Sequence, residues 1–174
     1  MPILRQIAQL GHPVLRETAS PVRDFTDPAL SALAEDLLVT LEASGGVGIA
    51  AVQVYVPLRV IVVASRPNSR YPHAPLMEPL VLVNPEVVWI SEKKEEGWEG
   101  CLSIPGIRGL VPRAVSLKVR YLTVSGESLI LDLEGFPARI FQHELDHLDG
   151  LVFLDRVESN RNLISDQEYL RQYT

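Results

Sequence analysis

The chain has a single cysteine, Cys101, in 174 residues. An internal disulfide is therefore excluded, the fold does not depend on an oxidising compartment, and the thiol is available for ligation or nucleophilic work. Long apolar runs are missing as well. No segment approaches the roughly 20 residues that a helix needs to cross a bilayer, and the opening Met1-Pro2-Ile3-Leu4-Arg5 has neither a long apolar core nor an Arg/Ser-rich amphipathic stretch. Basic residues are in the minority, 16 Lys and Arg against 22 Asp and Glu for a net charge of -6. They form no basic stripe, which argues against nucleic acid as the main partner. The expectation is a soluble, cytoplasmic protein with no membrane segment.

What is present is globular. A hydrophobic share of 47% with 22% charged residues supports a packed core, and residues 1–174 fit one ordinary domain with a tail after about residue 155. Gly11-His12-Pro13-Val14-Leu15 reads as a single turn, with His12 structural. Asp27-Pro28 reads as a helix cap followed by Pro in the first turn, and Leu30, Leu33, Ala34, Leu37, Leu38 and Leu41 recur at helical spacing until Gly45-Gly46. Leu58 to Ala64 is a β-branched strand. Arg66 to Pro79 is a loop with His73 in solvent, and Leu80 to Ile90 is a strand demoted to an edge or a bend at Asn84-Pro85. Ala114 to Thr123 and Glu127 to Leu133 alternate as strands about a Ser125-Gly126 turn, and a short surface helix fits within Ser159 to Thr174.

The chemistry is concentrated in Gln142-His143-Glu144-Leu145-Asp146-His147-Leu148-Asp149-Gly150. Two histidines four apart project from one face of a helix and can grip one metal ion, while Glu144 between them can take a proton from an attacking water and return it to a leaving group. The plain alternative is a buried helix with two hydrogen-bonded histidines. Gly135-Phe136-Pro137 opens this helix and Gly150 closes it. Ile140, His143, Glu144 and His147 lie on one side, Phe141, Leu145 and Leu148 on the other, so the helix is covered nearly all round. The fold class that follows is α+β, with antiparallel sheets and hairpins wrapped around a central metal-binding helix and an N-terminal helix packed on the outside.

A catalytic centre takes a third protein ligand, and spacing leaves two sources open. A metallopeptidase would draw it from downstream, as Glu168 or Asp166, since no His follows His147. The other source is Cys101 in Glu99-Gly100-Cys101-Leu102-Ser103, whose thiolate is the stronger ligand. A metal-stabilised structural module would instead need a closed four-ligand site. Gly46-Val47-Gly48-Ile49-Ala50-Ala51-Val52-Gln53 offers exposed backbone and one amide, and fits neither a P-loop nor a dinucleotide loop.

These three stretches stand in the order and with the content of the three signature motifs of the peptide deformylases. The chain resembles that family from Gly11-His12-Pro13-Val14-Leu15-Arg16 to about Asp155. It departs at Val52, where many members carry Pro or Thr, and at Val54-Tyr55, where an Ile-Gly or Val-Gly pair is common. The resemblance implies a metallohydrolase that removes the N-formyl group from the formyl-methionine of newly made polypeptides and releases formate, a metal-bound water attacking the formyl carbon. It implies that Cys101, His143 and His147 hold one divalent ion, with Fe(II) physiological and Zn, Ni or Co as alternatives, and that Glu144 is the general acid/base. Gln53 and the backbone N–H of Leu102 would hold the oxyanion. Val47, Gly48, Phe136 and Ile140 match positions lining the methionine pocket. A peptide could dock as an added strand along Gly46 to Gly48 on one side and Ile104 to Gly106 on the other, with Arg108 a contact for the chain beyond methionine. Asp146 reads as salt-bridged, with Arg113 as partner. The formyl-methionyl substrate leaves room for the ribosome as a further partner.

Overall fold

The computed structural model describes residues 1–68 and 70–173; Ser69 and Thr174 lie outside the described residues. A short turn of helix at Pro13–Arg16 follows His12, whose Nδ1 accepts from Val14 N at 3.2 Å, so His12 is structural as expected. Helix α1 (Pro28–Ser44) starts where the Asp27 side chain accepts from Ala29 N at 2.8 Å and ends at Gly45. Its Leu30, Leu33, Leu37 and Leu41 are buried, as their spacing demands.

Strands β1 (Gly48–Ala50), β2 (Val60–Ser65), β3 (Met77–Ile90), β6 (Ser116–Leu122) and β7 (Ser128–Glu134) form an antiparallel sheet in the order β1-β2-β3-β6-β7. Strands β4 (Lys94–Cys101), β5 (Ile104–Ala114) and β8 (Leu163–Ser165) form a second, ordered β4-β5-β8. Helix α2 (Gly135–Leu148) lies between the sheets, and α3 (Asp166–Tyr173) closes the described chain. The uniformly apolar run of β2 has a direct cause: Ile61 and Val63 pack with Ile140, Phe141 and Leu148 of α2, while Val60, Val62 and Ala64 pack with the leucines of α1. A strand buried on both faces has no polar alternation to show. Toward the second sheet α2 is polar, and Gln142 takes both Ala114 N (3.1 Å) and Ala114 O (2.9 Å).

Three details differ from the sequence reading. First, β3 begins at Met77 rather than Leu80 and is no edge strand, since it pairs with both β2 and β6. The register shifts between Val83 and Glu86, Asn84 takes φ +48°, and its side-chain amide bonds Val22 N and Val22 O, each at 2.8 Å. Pro85, which lacks an N–H, is accommodated in this bulge. Second, β4 and β5 were not foreseen. The Lys-Glu-Glu-Gly-Trp-Glu-Gly run of β4 has no apolar alternation, and at Gly97, where a Cβ would stand 2.7 Å from Arg139 Cζ, the strand presents bare backbone. Third, the tail adds β8 to β5 before its helix begins. His73 is exposed as expected. Tyr55, at a position where the resembling family often has glycine, does adopt glycine's conformation, with φ +65°, and packs edge-on to the His12 ring at 4.9 Å. Among the described residues no helix is long and apolar enough to cross a membrane.

The N-terminal arm is tied to α1 by a buried carboxylate. Ile3 N donates to Asp36 Oδ1 at 2.7 Å, Arg5 Nε to Asp36 Oδ2 at 2.8 Å, and Arg5 N to Thr40 Oγ1 at 2.9 Å. Burial pushes the Asp36 carboxyl up, but the bonds from Ile3 and Arg5 outweigh it and hold it below its ordinary 3.8. A carboxyl lowered by folding adds stability that is fully present above its unfolded value and is lost as pH falls through the folded one. The arm should therefore stay docked at neutral pH and loosen only below 3.8. Asp36→Asn should loosen it at every pH, which hydrogen exchange at the Ile3 and Arg5 amides would register.

Candidate metal centre

Two elements deliver the metal-ligating groups. Gly135, at φ +62°, lets the chain turn from β7 directly into α2, a conformation that a side chain would oppose. Helix α2 then carries His143 and His147 one turn apart, their ring centroids 5.1 Å from each other and nearly perpendicular. From the end of β4 comes Cys101, whose Sγ lies 3.3 Å from His147 Nε2. Candidate ligand atoms of Cys101, His143 and His147 all fall within 4.8 Å of one another, and all three residues are buried. The downstream carboxylates go elsewhere: Asp166 bonds Arg108 Nε at 2.7 Å, and Glu168 pairs with Arg171 at the surface. The metallopeptidase reading is thereby overturned, and the third donor is the sulfur.

Around the triad the polar groups are oriented. Gln53 Oε1 accepts from Ala50 N at 2.8 Å, which turns Nε2 toward Ser103 Oγ (3.1 Å) and Cys101 Sγ (3.5 Å). Ser103 N also points at the sulfur, at 3.4 Å. His143 Nδ1 meets Glu99 Oε2 at 2.9 Å, so the proton sits on Nδ1 and the other ring nitrogen is left to ligate. Glu99 in turn accepts from Arg113 Nε (2.9 Å), Arg113 Nη2 (3.0 Å) and Arg139 Nη1 (2.9 Å). Arg113 Nη1 reaches Asp146 at 2.6 Å, the pair expected from sequence, and Arg156 Nη2 bonds the other Asp146 oxygen at 2.8 Å.

The charges follow from these contacts. Burial pushes the Cys101 thiol up, but the His147 and His143 imidazoles outweigh it and hold it well below its usual range. Burial pushes His143 down, yet Cys101 and Glu99 raise it well above the ordinary imidazole value. Glu99 is held strongly ionised by His143 and Arg113 despite burial. Glu144 behaves oppositely. Burial raises it to about 7, against the pull of the two imidazoles and with the help of the charges on Cys101 and Glu99. Its Oε2 and His147 Nδ1 are the buried side-chain atoms that lack a partner among the described residues. An ionised sulfur, two imidazoles and an unpartnered carboxylate oxygen together fit a divalent cation better than any neutral packing.

A cleft opens beside the triad between the outer edges of β1 and β4, the terminal strands of their sheets. Gly46, Val47 and Gly48 line one wall, Gly100 and Leu102 the other, with Phe136, Ile140 and Gln53 also lining it. A Cβ on Gly48 would stand 2.8 Å from both Glu144 Cδ and Ile140 Cγ2, so only glycine leaves room for the acid. Arg108, in contrast, does not line the cleft. It is 1% exposed, bonded to Asp166 and stacked on Tyr169 at 4.0 Å. Nor do Ile104 to Gly106 form a wall: Ile104 is buried and Gly106 N donates to Asp166 at 3.1 Å. Trp98, Arg70, Tyr71 and Glu99 line the cleft as well, although residue type and spacing assign none of them a role there. The one sign in the sequence is a Glu two residues before the only cysteine, in a strand that lacks apolar alternation.

The family profile described as Polypeptide deformylase matches residues 4–162. Peptide deformylase 2 of Nostoc sp. is 52% identical over 168 residues, covering 97% of this chain and 94% of that protein. Peptide deformylase 2 of Shewanella oneidensis is 48% identical over 162 residues, with 93% and 89% covered. Among solved structures, the class I type b peptide deformylase of Acinetobacter baumannii bound to Met-Ala-Ser superposes with a TM-score of 0.87 at 47% identity, covering 90% of this chain and 100% of that one. The peptide deformylase of Thermotoga maritima gives 0.81 at 36% identity, covering 90% and 99%.

Two substitutions probe the centre's construction. Arg113→Met removes a guanidinium shared by two buried carboxylates. Because Arg139 and Arg156 remain, the loss should sit at the lower end of what a broken buried pair costs, about 3 kcal/mol in urea unfolding. Gly48→Ala forces Glu144 or Ile140 to move and should cost about 1–3 kcal/mol by the same measurement.

Proposed function

This chain belongs to the polypeptide deformylases, metal-dependent hydrolases that remove the N-formyl group from formyl-methionyl peptides, and from that premise we propose how its own residues divide the work. Cys101, His143 and His147 hold the ion, with Fe(II) as the physiological metal and Zn, Ni or Co as substitutes, since a sulfur and two imidazoles suit all four. When bound, the cation supplies the positive charge that polarises a formyl carbonyl and makes water a nucleophile near neutral pH.

Glu144 is the general acid/base. A carboxyl buried without a partner on Oε2 and raised to about 7 can both take and return a proton at working pH. It accepts the proton of the attacking water as oxygen adds to the formyl carbon, then delivers it to the amine nitrogen as the carbon–nitrogen bond breaks and formate leaves. Gln53 Nε2, aimed by the bond from Ala50 N to its carbonyl oxygen, and the Leu102 N–H stabilise the oxyanion. Val47, Gly48, Phe136 and Ile140 take the methionine side chain. The peptide backbone extends between Gly46–Gly48 on the β1 edge and the β4 edge near Gly100, in place of Ile104 to Gly106.

The observation that carries this reading is the convergence of a sulfur from one sheet with two imidazoles from α2, an unpartnered carboxylate beside them. Residues 1–174 act as one catalytic domain. A formyl-methionyl substrate supports a cytoplasmic location for the protein, with the ribosome as a further partner.

Anaerobic protein loaded with Fe(II) or Ni(II) should release formate from formyl-Met-Ala-Ser. Glu144→Ala should retain metal by elemental analysis while turnover falls roughly 100- to 10,000-fold; a near-native rate would remove the acid/base assignment. Cys101→Ala should lose the metal, and full retention would sink the ligand set.

A further inference from the structure

Arg70 brings to the cleft a positive charge that no acid among the described residues neutralises. It lines the cleft, and a Cβ built on Gly100 would stand 2.9 Å from its Nη2, so the guanidinium lies against the backbone one residue before Cys101. The other arginines nearby are committed. Arg139 bonds Glu99 and the carbonyls of Val111 and Glu95, Arg113 bonds Glu99 and Asp146, and Arg108 bonds Asp166. Among the described residues the Arg70 guanidinium has no ion pair and no hydrogen bond, although the residue is half-buried.

Its placement is built rather than incidental. Asn68 Oδ1 accepts from both Arg70 N (2.8 Å) and Tyr71 N (2.9 Å), and Arg70 O accepts from Arg108 Nη1 at 3.3 Å. Tyr71 Oη accepts from Gly100 N at 3.3 Å, and the Tyr71 ring packs on Phe136 at 5.1 Å. The backbone on both sides of the guanidinium is thus pinned to the cleft wall. A planar, permanently charged fork held partly out of water is suited to a carboxylate, which it can bind through two parallel N–H donors. The two acids in the cleft cannot supply it: Glu99 is saturated by Arg113, Arg139 and His143, and Glu144 faces the reacting end.

Resting on the deformylase reading, we propose that Arg70 is a specificity determinant that recognises a carboxylate on the peptide beyond its methionine. The carboxylate comes either from the C-terminus of a short peptide or from an acidic side chain of a longer one. Arg70 takes the role that the sequence offered to Arg108, which the tail has claimed through Asp166.

The test uses the metal-loaded enzyme and two matched pairs of substrates: formyl-Met-Ala-Ser as free acid against its amide, and formyl-Met-Ala-Asp-amide against formyl-Met-Ala-Asn-amide. The native enzyme should favour the charged member of at least one pair by about tenfold in kcat/KM, through KM, and the preference should shrink with added salt. In Arg70→Ala the ratio should fall to near one, and Arg70→Lys should restore part of it. A ratio does not depend on how much of a variant folds. A preference in the first pair alone identifies the terminal carboxylate as the source, and in the second alone the side chain. Equal efficiency within both pairs in the native enzyme, or a ratio untouched by Arg70→Ala, overturns the subsite while leaving the reaction in place. No turnover of any of the four peptides would remove the functional reading and the subsite with it.

Discussion

Glu99 is a full negative charge buried between two guanidiniums and an imidazole, and the rest of the structure is arranged so that this costs little. An isolated carboxylate out of water would cost several kcal/mol. Here the partners come from separate elements: Arg113 from β5, Arg139 and His143 from α2. The same contacts that ionise Glu99 therefore fasten the second sheet onto the central helix. Two residues further along β4 lies Cys101, so the register that satisfies Glu99 also brings the sulfur to the imidazoles. Asp146 repeats the device one turn on, between Arg113 and Arg156.

Much of this was legible because local chemistry and tertiary role coincide. The capped stripe of α1, the doubly buried β2, the histidines of α2 and the Arg113–Asp146 pair could all be read from residue type and spacing. What could not be read is what depends on the other sheet. Strands β4 and β5 carry glycines where Arg139, Phe153 and Val157 press against the backbone, so their pattern lacks the alternation that marks a strand. Without β4 placed, nothing in the spacing prefers Cys101 over Glu168 as the third ligand, and only the three motifs taken together do. Arg108 and Arg70 illustrate the same limit: both are arginines near the cysteine in space, but which one is spent on Asp166 is settled by the tail's pairing with β5.

The centre holds one group in a state that favours chemistry over stability. Glu144 is enclosed, lacks a partner on Oε2 and keeps its proton to about neutral pH, while Gly48 gives up its own side chain to admit it. Among the described residues, the buried side-chain nitrogens and oxygens without a partner are confined to Glu144 and His147. Unpartnered buried side-chain atoms gathered at one spot point to that spot as the place under functional demand.

The cleft's position between β1 and β4 sets a limit on shape as well. Unpaired strand edges ordinarily invite other sheets to join them. These two face one another across a cleft that Arg70 and Tyr71 also line. A strand edge bonds an extended chain through its backbone, so each of these edges is suited to one extended segment. The same edges that would otherwise recruit a stray sheet are thereby turned toward each other, and the pair encloses the space beside the triad instead of facing open solvent.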